Sequence, residues 1–239
     1  MEKIRNTGPT NTLAGNDIII GTSDITPDSG PQNSFSSIFN SGNLYTAEGN
    51  DIITGTRNQT EDSLFSAYGI FNDYEGGIHT GDGNNIINGD STGDASGIFN
   101  EGIIFTDNGD DIITGTAYSS TKEDTPGLMN RGDFVTGEGN DIITGVGPIG
   151  IFHQGDYGPA GDRNFFETHG GNDIIIGIGM NVGFFNALGT ILTDDGNDII
   201  IGIGGSVGLE NYDNGDSGST IYTFLSLPME ALMPWAACI

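Results

Sequence analysis

Thr136-Gly-Glu-Gly-Asn-Asp141-Ile-Ile143-Thr-Gly145 is the clearest copy of a pattern, Thr-x-x-Gly-Asn/Asp-Asp/Asn-Ile-Ile-x-Gly, that recurs seven times along the chain. The copies occupy 12–21, 46–55, 80–89, 106–115, 136–145, 168–177 and 193–202. Upstream of each lies a second element, Ile/Leu/Phe-x-Asn, with asparagines Asn6, Asn40, Asn72, Asn100, Asn130, Asn186 and Asn211, and His153 in one place. Successive members are 23 to 34 residues apart, with most of the variation between the closing Gly and the next Ile-x-Asn. A fixed motif with elastic connectors is the signature of a solenoid, because insertions bulge from one corner without disturbing the stack.

The period within each unit selects β over α. The apolar runs are four or five residues long, β-branched or aromatic, and bounded by Gly, Asn and Asp; no 3.6-residue spacing is sustained. Each unit reads as three short strands: the Ile-Phe-Asn leg, the Leu-Tyr-Thr leg and the Asp-Ile-Ile-Thr leg. Stacking like legs in parallel at about 4.8 Å predicts an all-β parallel β-helix, or β-solenoid, of about 7–8 three-strand coils with variable corner loops. The predicted organisation is one repeat domain over 1–223 and an apolar C-terminal cap or docking segment over 224–239. The eighth copy keeps Asn211 and Thr223 but has no Gly-Asn-Asp-Ile-Ile sequence.

Residues two apart on a strand share a face. The line Ile19, Ile53, Ile87, Ile113, Ile143, Ile175 and Ile200 shares its face with a closing Gly in every copy, which assigns it to the core. The neighbouring line of Ile18, Ile52, Ile86, Ile112, Ile142, Ile174 and Ile199 then points outward, joined by Ile20, Thr54, Asn88, Thr114, Thr144, Ile176 and Ile201. A flat apolar face of that size marks an interaction surface unless an inserted loop covers it. The asparagine and threonine lines read as structural, hydrogen-bonding along the corners.

Composition removes several function classes. With 6 Lys+Arg against 33 Asp+Glu and a formal net charge of −27, the 239-residue chain cannot make the basic patch that nucleic-acid binding needs. No run approaches the length of a membrane helix, and the polar stretch beginning at Met1 is unlike a secretory signal peptide. A single cysteine, Cys238, rules out an internal disulfide. The 41 glycines do not recur every third residue, which excludes collagen. Catalysis is disfavoured: lyase chemistry on acidic sugars needs cations that are scarce here, and no Ser/His/Asp pattern stands out. A carbohydrate-active hydrolase or lyase is the alternative function, and ice binding by the Ile/Thr face a more remote one.

The stretch Gly137-Glu-Gly139-Asn-Asp141-Ile-Ile143-Thr-Gly145 resembles the nonapeptide of the hemolysin-type calcium-binding (RTX) repeat family, with weaker copies in the other units. The resemblance implies calcium as the cofactor, held by Asp17, Asp51, Asp111, Asp141, Asp173 and Asp198, with Asn85 replacing the acid in the third copy. It departs from the family in carrying Thr for the first Gly, one such leg per coil, and Ile after the Asp. It also implies a bacterial protein at the cell surface or outside the cell, reached by leaderless type I-like export, with the cytoplasm as the other option. Electrostatics points the same way independently: carboxylates on one line repel by roughly 3 kcal/mol per adjacent pair at an effective dielectric of about 20. Glu48, Asp82, Glu138 and Asp195 add charge to that edge. Hard divalent cations would relieve it, whereas zinc and copper are disfavoured because His79, His153 and His169 have no paired spacing. The expected role is therefore non-enzymatic: a calcium-binding structural, adhesive or matrix protein. Its partner would be another copy of itself, bound end to end into filaments or through the Ile/Thr face.

Overall fold

The computed structural model describes residues 3–25, 36–59, 68–119, 122–155, 164–212 and 225–228. All regular structure among them is β-strand. The first coil is β1 (Ile4–Asn6), β2 (Thr10–Asn11) and β3 (Ile18–Ile25), and the second is β4 (Ile38–Asn40), β5 (Asn43–Tyr45) and β6 (Ile52–Gln59). The third is β7 (Ile70–Asn72), β8 (Gly77–His79) and β9 (Ile86–Ser91), and the fourth is β10 (Ile98–Asn100), β11 (Ile103–Phe105) and β12 (Ile112–Ala117). Then come β13 (Pro126–Asn130), β14 (Asp133–Val135), β15 (Ile142–Gln154), β16 (Phe165–Glu167), β17 (Ile174–Ala187), β18 (Thr190–Leu192), β19 (Ile199–Gly204), β20 (Val207–Tyr212) and β21 (Leu225–Pro228). In β15 and β17 the third leg of one coil runs straight into the first leg of the next, because no inserted residues separate them.

Every pairing is parallel and joins like legs in the register of the sequence repeat. Ile112 lies beside Ile86 on one side and Ile142 on the other, and Asn100 lies between Asn72 and Asn130. The second legs form a sheet of their own in the order β18-β16-β14-β11-β8-β5-β2. The fold is the β-solenoid expected from the repeat.

The core is one side chain deep from each leg. Ile70, Ile78 and Ile87 of the third coil, and Leu128, Phe134 and Ile143 of the fifth, belong to one continuous buried cluster. The face assignment holds: Ile53, Ile87 and Ile143 are fully buried, whereas Ile18 is 66% and Ile199 44% exposed. Gly145 shares the inward face because a Cβ there would lie 2.2 Å from the carbonyl oxygen of Gly150. At the corner before each third leg, Gly139 has φ +148°, and a Cβ would meet the Gly109 carbonyl oxygen at 2.0 Å. Glycine is required there both by its backbone conformation and by the close stacking of coils.

Two features were not legible in the repeat. Phe39, Phe71 and Phe99 point away from the core, yet they are buried in a second cluster with Tyr68 packed against it. Phe71 and Phe99 stack with ring centroids 5.2 Å apart. The second concerns the last coil. Although it has no Asp-Ile-Ile sequence, β21 pairs with β19 through Ile201↔Leu225 and Gly202↔Ser226, in the place of a third leg. Thr223, the remainder of 224–239 and Cys238 lie outside the described residues.

Candidate functional site

Two columns of polar side chains run the length of the solenoid inside its corners. In the first, each asparagine amide donates to the next coil: Asn6 to Asn40, Asn40 to Asn72, Asn72 to Asn100 and Asn100 to Asn130, each with Nδ2···Oδ1 2.7 Å. Spare N–H groups reach carbonyls, as from Asn100 to Asp133 O at 2.9 Å. An amide both donates and accepts, so the column from Asn6 to Asn130 satisfies itself without charge, whereas at the histidine below it His153 Nε2 and Asn186 Oδ1 are buried without an aligned hydrogen bond. His153 occupies the same register between Asn130 and Asn186. Asn130 Nδ2 lies 3.1 Å from its Nδ1, and an amide N–H can only donate, so Nδ1 accepts and the ring proton sits on Nε2. Burial pushes the His153 pKa down to about 4.

The second column contains the proposed metal ligands. Asp17, Asp51, Asp111, Asp141, Asp173 and Asp198 share the inward face of the third legs, and Asp51, Asp111, Asp141 and Asp173 are at most 1% exposed. From Asp51 onward one oxygen of each accepts a backbone N–H from the preceding coil: Asp111 N–H donates to Asp141 Oδ1 at 2.9 Å and Asp141 N–H to Asp173 Oδ1 at 2.9 Å. The other oxygen, Oδ2, of Asp51, Asp111, Asp141 and Asp173 is buried without an aligned hydrogen bond. Thr12 Oγ1 donates to Asp17 Oδ2 at 2.5 Å in the first coil, but the buried hydroxyls of Thr106, Thr136 and Thr168 are not so aligned. Burial accordingly raises Asp111 to about 7 and Asp141 to about 6, only partly opposed by the neighbouring threonine and the donated N–H, and raises Asp173 too.

Asn85 shows what this position demands. Its Oδ1 accepts the Asp51 N–H at 3.0 Å, as an aspartate would. Its Nδ2, standing where the aspartates have their second oxygen, donates to Gly81 O at 3.0 Å, Gly83 O at 2.8 Å and Thr106 O at 3.3 Å. The slot is lined by carbonyl oxygens and calls for a donor or a positive charge. A carboxylate there can only accept, as Asp17 does from the Thr12 hydroxyl. The donor set is all oxygen, which fits calcium in the coils that carry Asp and does not fit it where Asn85 presents nitrogen.

The dipeptide preceding the third leg also builds an exposed ladder of opposite direction. Asn140 N–H donates to Asp110 Oδ1 at 2.8 Å and Asn172 N–H to Asn140 Oδ1 at 3.0 Å. The backbone and side-chain N–H groups of Asn140, both donated to Asp110, hold its pKa below the usual carboxylate range. The outward Ile face is partly open: Ile18, Ile112, Ile142 and Ile199 are exposed and Ile52, Ile86 and Ile174 half-buried. Beyond its threonine edge lies an apolar recess of about 380 Å³ lined by Tyr118, Val146, Pro148, Ile178 and Met180.

One grouping has no counterpart in the sequence reading. Glu167, His169 and Asp194 bring a nitrogen and two carboxylate oxygens within 4.8 Å of one another. Spacing along the chain could not reveal it, since Asp194 comes from the next coil; aligning the repeats in register would have. Comparison of the chain with protein-family models, with curated proteins and with solved structures returns no match.

Proposed function

We propose that this protein is a non-enzymatic, calcium-stabilised β-solenoid with a structural or adhesive role. The observation that carries the reading is the buried Oδ2 of Asp51, Asp111, Asp141 and Asp173, which has no well-aligned hydrogen bond, set in a slot where Asn85 directs an amide at three carbonyls. Asp17 and Asp198 extend the same column toward its ends. Bound calcium would be held by these carboxylates and by turn carbonyls and would neutralise charge that burial makes costly. Such ions are most available outside the cell, the compartment implied by the resemblance to RTX repeats.

Self-association supports the same role. Among the described residues β1, β2 and β3 each lie at the end of their pairing order, and strand edges so placed are a template on which another chain can pair. Docking the last coil of one copy on the first of another is a heterologous contact that propagates into a filament. The outward Ile/Thr face offers lateral contact.

Thermal melting of the full chain near neutral pH, in excess chelator and in excess calcium, tests the ion. A ligand at a hundred times its Kd adds about 2.7 kcal/mol per site, so the melting temperature is expected to rise by several degrees. An unchanged melting temperature would mean that protons, not calcium, neutralise the column. Light scattering in the same two buffers reads filament formation.

A further inference from the structure

We propose that Glu167, His169 and Asp194 form a binding site for a borderline divalent metal ion, zinc being the reference ion, that staples two adjacent coils at the corner between second and third legs. The site is separate from the aspartate column and does not depend on it.

The argument begins with the repeat. The residue after the conserved threonine is Leu13, Ala47, Gly81, Asp107, Gly137, His169 and Asp194 in successive coils. Asp107 also has an imidazole nearby, that of His79, but among the described residues only His169 has two carboxylate oxygens within 3.5 Å of one ring nitrogen. The two residues share a left-handed backbone, φ 52° at His169 and 44° at Asp194, so the same turn presents both side chains one coil apart. Glu167 ends β16 two residues before His169, on the outward side of that leg.

Distances then decide what the group can do. His169 Nδ1 lies 3.4 Å from Glu167 Oε1 and 3.5 Å from Asp194 Oδ2. Both are longer than an ordinary N–H···O hydrogen bond, and one Nδ1 carries at most one proton, so it cannot serve both carboxylates. Tetrahedral ligands about 2.1 Å from a metal lie about 3.4 Å apart. Two of the three edges therefore already match those of a tetrahedral site, and the third, between the Glu167 and Asp194 oxygens, lies within 4.8 Å and closes by a side-chain rotation. A nitrogen with two carboxylate oxygens suits zinc and its first-row neighbours, whereas calcium prefers an all-oxygen shell.

The surroundings supply charge and a fourth position. His169 and Asp194 line an open recess of about 470 Å³ with Glu138, Gly170 and Asp195. Glu138 reaches over Gly170, where a Cβ would come within 2.7 Å of its Oε2. The recess thus gathers Glu138 and Asp195 around the three ligands, and a water or Glu138 can complete the coordination. Neutral imidazole is the binding form.

Calorimetric titration of the full chain with zinc in excess calcium, together with the visible spectrum of the cobalt complex, tests the site. One zinc per chain is expected, with tetrahedral cobalt bands. H169A and D194N should each lower affinity at least about tenfold. D82N, which removes an acid of the same edge outside the cluster, should leave it unchanged. The double variant D111N/D141N should also leave it unchanged, which separates this site from the column. Circular dichroism confirms that each variant keeps its strands. No stoichiometric uptake, equal affinity in H169A, or displacement by calcium at comparable concentration would overturn the proposal, since each would leave only diffuse adsorption to carboxylates.

Discussion

The asparagine column and the aspartate column run through the same coils, and the central members of both are buried. From Asn6 to Asn130 the first completes its own hydrogen bonds; the second does not. Asn100 accepts from Asn72 and donates to Asn130, both at 2.7 Å, so stacking makes each amide between Asn6 and Asn130 a link. Asp111 accepts an N–H from Asn85 at 2.7 Å but has nothing to donate. Repetition multiplies whatever one coil does: a residue with both donor and acceptor propagates satisfaction, and an acceptor-only residue propagates a deficit. Each column also contains its own exception. Asn85 is an amide among acids, and His153 an imidazole among amides.

Moving a charge into the complete column should have the largest effect. Asn100→Asp removes the donor to Asn130 and buries a carboxylate with no cation near, which should cost about 3–5 kcal/mol at neutral pH or prevent folding. Urea unfolding measures it, and a loss below about 1 kcal/mol would show that the two columns are interchangeable.

Moving an amide into the incomplete column comes next, and its sign is opposite. Without divalent ions, Asp111→Asn should stabilise the protein at pH 8 and make it less responsive to calcium, because the new amide can donate to turn carbonyls as Asn85 does. The wild-type pH dependence follows from the raised pKa values, about 7 for Asp111 and about 6 for Asp141. An acid whose folded pKa is raised contributes stability below its unfolded pKa and loses it as pH rises through the folded value. In chelator, stability should therefore fall between about pH 4 and 7 for these groups. Calcium should flatten that fall, since ion binding displaces the protons.

His153 gives a smaller effect in the other direction of pH. Its folded pKa of about 4 lies below the usual histidine value, so its stability is present above about pH 6.5 and lost as pH falls toward 4. His153→Asn should restore the amide ladder and remove on the order of 2 kcal/mol of that acid sensitivity. A stability difference between the two proteins that is the same at pH 4.5 and pH 7.5 would contradict this.

The smallest effect is expected outside both columns. Ile112→Thr with Ile142→Thr alters the outward face only, where the two side chains are 40% and 37% exposed. Monomer stability should change by about 0.5 kcal/mol or less, while lateral association measured by light scattering should drop.

The repeat makes much of this readable in advance. Ile143 and Ile142 differ by one residue, yet the period of two and the closing Gly145 suffice to send the first inward and the second outward. Asn40, Asn72 and Asn100 recur at one register, so a ladder follows from stacking alone. The outward phenylalanines are a different case: their burial under Tyr68 depends on residues between the repeats, which carry no period. The depth of the aspartates was not readable either. An Asp beside Asn at a Gly-rich turn fits a solvated cap as well as a buried ligand, and only the packing of Thr106 and the turn carbonyls around that position separates the two.

By itself, then, the sequence determined the fold, the register and the direction of each isoleucine, because a β-solenoid turns linear periodicity directly into stacking. Tertiary structure decided what surrounds the polar groups. It put Asp111 where water cannot reach, gave Asn85 three carbonyls to serve as a reference, and carried Asp194 one coil around to face His169. Those relations depend on distances between coils, which spacing along the chain does not encode.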